Sequence, residues 1–132
     1  PEDFKYTGII SGAGALIDIQ LIQQRNAIPT MLFHGNADTK VPYAVAPHRS
    51  CPPESSGWLM LFGSKPIYER LVDYKTNVEL FTIDGGSHDF CGYLYGPHTS
   101  KHILNFLNRV MTGKSFQINK TVAAKNLNVE IN

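Results

Sequence analysis

"HGNADTKVPY", residues 34–43, follows the apolar run Thr30-Met31-Leu32-Phe33, carries an acid, Asp38, on a glycine-containing loop, and closes on Val41-Pro42. A second stretch has the same form. In "DGGSHDF", residues 84–90, His88 follows another apolar run and the pair Gly85-Gly86. Residues 27–34 have the length and composition of a strand covered on both faces, and Pro29 is tolerated near its start. Residues 78–84 read as another strand. Between the two, residues 64–74 read as a helix: the Ser64 hydroxyl is placed to cap it, Pro66 lies in its first turn, and Ile67, Leu71 and Val72 share one face. Parallel strands joined by a crossover helix end on the same edge of a sheet, and neighbours lie about 4.8 Å apart. Asp38 and His88 are therefore expected to meet in one crevice, although they are far apart in the chain.

Outward from these loops the pattern continues. Residues 6–11 read as a short buried strand with its exit turn at Gly12 and Gly14, and 16–24 as helical or irregular. Residues 44–63, rich in Pro and Ser around Cys51, form a long loop anchored by Trp58-Leu59-Met60-Leu61-Phe62, which is expected to supply core packing rather than an acyl pocket. Residues 100–111 carry Ile103, Leu104, Phe106, Leu107 and Val110 as an amphipathic helix stopped by Gly113. The expected fold is α/β, with about three mostly parallel strands and flanking helices in a partial domain over 1–113, and a polar carboxyl-terminal tail over 114–132.

The chain has 132 residues, enough for one domain or one piece of a larger one, and a formal charge of +1 without blocks of like charge. That balance argues against nucleic acid or an anionic membrane surface as partner. No apolar stretch is long enough to span a membrane. The chain starts at Pro1, without an initiator Met or a leader, so the start is read as cut, processed or missing. Cys51 and Cys91 lack metal or redox spacing, and either pair with each other or remain separate thiols. Gly12-Ala13-Gly14 reads as a tight turn, because Ile17 stands where a dinucleotide fingerprint needs its third glycine. His98 and His102 have no third ligand beside them and read as a solvated helix end. No cofactor and no metal is expected.

An imidazole acting as general base needs a fixed ring plane and tautomer, which a carboxylate at Nδ1 provides while stabilising the imidazolium. Asp38 and His88 are the candidate catalytic residues. Either alone has a plainer reading, an Asx-type turn for Asp38 and a solvated loop for His88; the matched loops favour the pair. His34, beside Gly35, is expected to support the acid loop through hydrogen bonds.

"HGNADTKVPY" and "GGSHDF" resemble the acid and histidine loops of the α/β-hydrolases, particularly the esterase and lipase branch. "YTGIISGAGAL" resembles the strand after the nucleophile helix, and "GSKPIYERL" the helix between acid and histidine. The resemblance spans about residues 4–111. It implies a carboxylic-ester hydrolase with a Ser-Asp-His triad, in which Asp38 is the acid and His88 the base, acting on a small-molecule ester. The nucleophile elbow G-x-S-x-G is absent: Ser11 stands between Ile9 and Ala13, Ser64 between Phe62 and Pro66, and Ser87, with Gly85 before it, has Asp89 after it. The resemblance therefore implies the carboxyl-terminal part of the fold, inactive by itself, whose partner is the amino-terminal part of the same enzyme. Two other readings share these loops: a serine peptidase of the prolyl-oligopeptidase type, and a non-catalytic hydrolase-like binding protein. An uncovered sheet edge leaves the chain open to forming a homodimer. The sequence does not fix the compartment, with a secreted or periplasmic setting preferred over a cytoplasmic one.

Overall fold

The computed structural model describes residues 4–127. Four parallel strands form one sheet in the order β1 (Ile9–Gly12), β2 (Thr30–Gly35), β5 (Val78–Asp84) and β6 (Gln117–Ala123). A separate antiparallel pair, β3 (Val45–Pro47) with β4 (Met60–Phe62), lies in the excursion between β2 and helix α1 (Ser64–Asp73). Helix α2 (Pro97–Met111) connects β5 to β6, and short 3-10 turns occupy Ile19–Leu21, Gln24–Asn26 and His88–Tyr95.

Strand alternation sorts the core into two layers. Met31 and Phe33 of β2 and Phe81 and Ile83 of β5 face Phe106 of α2, while Leu32, Val78 and Leu80 face Ile67 and Leu71 of α1. β2 and the greater part of β5 are buried on both faces, with Thr30, His34, Glu79 and Thr82 buried among their apolar residues. Both crossovers step the same way along the sheet, yet their helices cover opposite faces. They are therefore of opposite hand, and one of them departs from the right-handed rule. Glu79 is a buried acid on the α2 face and is paired with Arg109 of α2, whose guanidinium also lies 4.5 Å over the Phe116 ring. A charge in that layer is tolerable only with such a partner.

Three sequence expectations need correction. The tail over 114–132 contains β6, so the sheet has four strands rather than three. Only Ile118, Val122 and the terminal Ala123 of that strand are apolar, and Lys120 lies 5.6 Å over the Phe81 ring. One solvated face on an edge strand explains the polar composition. The long loop over 44–63 holds β3 and β4; Leu61 enters the core, while Trp58 and Leu59 stay exposed. Ser64 does not cap α1. The cap position is Gly63, where a Cβ would collide with the carbonyl of Pro42, and the N–H of Lys65 is taken by the carbonyl of Tyr43 at 3.0 Å. Cys51 and Cys91 are both free thiols. No helix of the described residues is long and apolar enough to cross a membrane.

Candidate active site

β2 and β5 are neighbours in register, Gly35 opposite Ile83, so the loops leaving their carboxyl ends start side by side. Gly35 allows the closest approach: a Cβ there would run into the carbonyl of Gly86. Gly85 turns the second loop with φ of +72°, a conformation that favours glycine. Asn36, which the sequence reading did not single out, stitches the loops together. Its Nδ2 donates to Asp84 Oδ1 at 2.8 Å and its Oδ1 accepts the Gly85 N–H at 2.8 Å, while the Ala37 N–H reaches the Gly86 carbonyl at 3.0 Å. An asparagine whose amide must use both ends across two loops has no local periodicity to betray it.

This brings Asp38 and His88 together. Asp38 Oδ1 accepts the N–H groups of Lys40 and Val41 at 2.8 and 2.9 Å, the Asx turn that the residue type suggests. Its Oδ2 lies 2.7 Å from His88 Nδ1. Each oxygen thus has its own task, one closing the loop and the other meeting the ring. The Asp38 side chain has no solvent exposure, while that of His88 keeps 29 %, so the pair is dry at the acid end and open at the ring end. The contact also settles the protons: an ionised carboxylate only accepts, so Nδ1 of His88 is the donor and Nε2 is left with its lone pair when the ring is neutral.

A second imidazole touches the same oxygen. His34, fully buried on β2, has Nε2 at 3.2 Å from Asp38 Oδ2 and 3.1 Å from the Val41 carbonyl, and its Nδ1 lies 2.8 Å from Ser64 Oγ. The expected supporting role of His34 has this concrete form. Lys40 and Asp89 make an exposed ion pair at 3.2 Å across the mouth of the two loops.

Burial alone would push the Asp38 carboxyl up, but the Val41 N–H, the His88 ring and the Lys40 N–H together hold it below the ordinary carboxylate range. Burial holds His34 below the ordinary imidazole range, against the opposing pull of the Val41 carbonyl and of Asp38. Both groups therefore bind protons more readily in the unfolded chain than in the fold, and acidification favours unfolding. The stability linked to His34 is complete above about pH 6.5 and erodes below it; that linked to Asp38 is complete above about pH 4 and is lost as pH falls through its lower folded value. Urea midpoints measured from pH 8 to pH 3 should fall in this order, and the first loss should shrink in His34→Phe. A midpoint constant between pH 7 and pH 5 would contradict the assignment.

Among the described residues no group of three or more His, Cys, Asp or Glu is arranged to hold a metal ion. His102 packs edge-on against Phe81 at 5.4 Å, and the side chain of His98 lies outside the described residues. Gly12 ends β1 and Ala13 bends the chain with φ of +51°, its N–H still on the Phe33 carbonyl of β2 at 2.8 Å. No family model matches the chain, and no curated protein or solved structure matches it either.

Proposed function

We propose that this chain carries the acid and the base of a serine carboxylic-ester hydrolase of the α/β-hydrolase kind, with Asp38 orienting His88 and with the nucleophile on polypeptide outside these residues. The observation that carries the reading is the 2.7 Å contact between Asp38 Oδ2 and His88 Nδ1 at the carboxyl ends of adjacent parallel strands. It leaves, on a partly exposed ring, an Nε2 lone pair able to take a proton from a hydroxyl that attacks an ester carbonyl, and to return it to the leaving alcohol. His88 would be the catalytic residue. Asp38 would act through it, stabilising the imidazolium as it forms.

The environment of β1 supports the placement of the nucleophile. Among the described residues β1 pairs only with β2, and its other edge is open. Beside it Phe4, Tyr6, Ile9, Ile17 and Leu21 are exposed, and an apolar cavity of about 220 Å³ lies between β1 and α1, lined by Ile9, Leu16, Leu32, Ile67 and Leu71 among others. The cavity includes neither Asp38 nor His88, so it is read as a seat for protein and not for ester. A strand added at this edge would extend the sheet on the side from which the resemblance brings the G-x-S-x-G turn. A second reading rests on a different observation: among the described residues the side-chain hydrogen-bond partner of His88 is Asp38, with no serine at its other nitrogen. That favours a non-catalytic, hydrolase-like binding role.

The test mixes the 132-residue chain with a polypeptide carrying the strand, G-x-S-x-G turn and helix, and adds a fluorophosphonate probe. Labelling of the serine only in the mixture, and its loss in His88→Ala, is the expected result. Association without labelling would give the binding role instead. Steady His88-dependent turnover of p-nitrophenyl acetate by the chain alone would contradict a nucleophile supplied from outside.

A further inference from the structure

Asp38 makes four close approaches to N–H groups, and they differ in kind. Two are backbone groups at Oδ1; the other two are imidazoles sharing Oδ2, His88 at 2.7 Å and His34 at 3.2 Å. The acid–base reading uses His88 and gives His34 no part in the proton transfer. The surroundings of His34 define its state. Nε2 faces two groups that only accept, the Val41 carbonyl, its hydrogen-bond partner at 3.1 Å, and the Asp38 carboxylate beside it at 3.2 Å, so Nε2 carries the proton. Burial favours the neutral ring, so Nδ1 is then a bare lone pair, and the Ser64 hydroxyl at 2.8 Å donates to it. Ser64, His34 and Asp38 have the composition of a nucleophilic triad but not its order of atoms, since serine sits on Nδ1 and the acid on Nε2. Neither Ser64 nor His34 has any solvent exposure, so no substrate reaches them.

We propose that His34 is a positioning residue for Asp38: a neutral imidazole, fixed by Ser64 on one nitrogen, whose Nε2–H holds the carboxylate oxygen that His88 also uses. The proposal rests on the reading of Asp38 and His88 as an acid–base pair. A carboxylate without water stays charged only if N–H groups replace the water, and each donor removed weakens the ionised form. Ser64 is the first residue of α1 and His34 lies within β2, so the relay fastens Asp38 to the two elements of the core and not only to its own loop. It explains why a serine at a helix start faces inward and leaves the capping to a glycine and a neighbouring carbonyl. It also explains a fully buried histidine within an apolar strand. The remaining groups around the relay are engaged elsewhere. Tyr43 meets the His34 ring edge-on at 5.6 Å while its hydroxyl bonds Thr82 at 2.6 Å, Asp84 is held by Asn36, and Lys40 and Asp89 pair in solvent.

The test is NMR on the 132-residue chain, following the Asp38 carboxyl carbon through a pH titration and the ring nitrogens of His34 and His88. In folded His34→Phe, which removes the donor but fills the space, the Asp38 midpoint should rise by about one unit. In His34→Gln, whose amide N–H falls near the place of Nε2, it should return to within about a third of a unit of the original value. An unmoved midpoint in folded His34→Phe would overturn the role. If His34→Phe does not fold, the unmodified chain decides: nitrogen shifts of a neutral His34 with its proton on Nε2 are expected, and a proton on Nδ1 overturns the proposal. The His88 Nδ1–H resonance keeps the two ideas apart. Its absence in the unmodified chain defeats the acid–base reading, whereas its presence with an unmoved Asp38 midpoint defeats only the role of His34.

Discussion

If the proposed assembly is a hydrolase, replacing Asp38 with Asn in it should lower kcat by about 10⁴-fold, or roughly 5.5 kcal/mol of barrier. The amide keeps one oxygen for the Lys40 and Val41 N–H groups, so the loop has no reason to open. The other end now presents N–H to Nδ1 of His88. The ring must then accept there and carry its proton on Nε2, the wrong tautomer for a base, and no carboxylate remains to stabilise the imidazolium. The check is kcat on p-nitrophenyl acetate for the complemented chain, with circular dichroism to show that the fold survives. A loss of only a few-fold would contradict the account. It would return the acid role to Asp84 or Asp89, the other carboxylates of the two loops, although the structure already engages these with Asn36 and Lys40.

Phe106→Ala should be the most damaging single truncation, costing about 3–5 kcal/mol of unfolding free energy. Phe106 is fully buried in the layer between α2 and the sheet, among Met31, Phe33, Phe81 and Ile83, and meets Phe116 edge-on at 5.8 Å. Its ring also lies against Gly8, where a Cβ would be 3.1 Å from it, so a cavity there would loosen the approach to β1 as well as the seat of α2. Leu104, on the solvent side of the same helix, is the control, with an expected change within about 0.5 kcal/mol. Urea unfolding of the two variants measures both. A loss below about 1 kcal/mol for Phe106→Ala would show that α2 is not held by this layer.

Much of this fold was legible from local pattern. β2, α1, β5 and α2 carry their apolar residues in short runs or at every third to fourth position, and the sequence announces them because those residues form the two core layers. The site was legible for a related reason. Strands ending in glycine-containing loops place their next polar residues at the sheet edge, so Asp38 and His88 could be paired without any knowledge of distance. What failed were features set by a distant partner. β6 has one buried face and an edge position, so its composition is that of a loop. The hydroxyl of Ser64 looks like a cap because capping is local, whereas its actual partner is a histidine thirty residues earlier. Asn36 and the donor role of His34 depend on two loops and a strand meeting, which no window of sequence contains. Cys51 and Cys91 are separate thiols, a state that their spacing in the sequence does not decide.

The central claim is that a buried carboxylate fixes the ring of His88 so that its outer nitrogen is the base. Nitrogen NMR of the ring, taken where it is neutral, tests this most directly. The account predicts the proton on Nδ1, with a far-downfield proton resonance that disappears in Asp38→Asn. A ring that carries its proton on Nε2, or that exchanges between tautomers as a free histidine does, would contradict it.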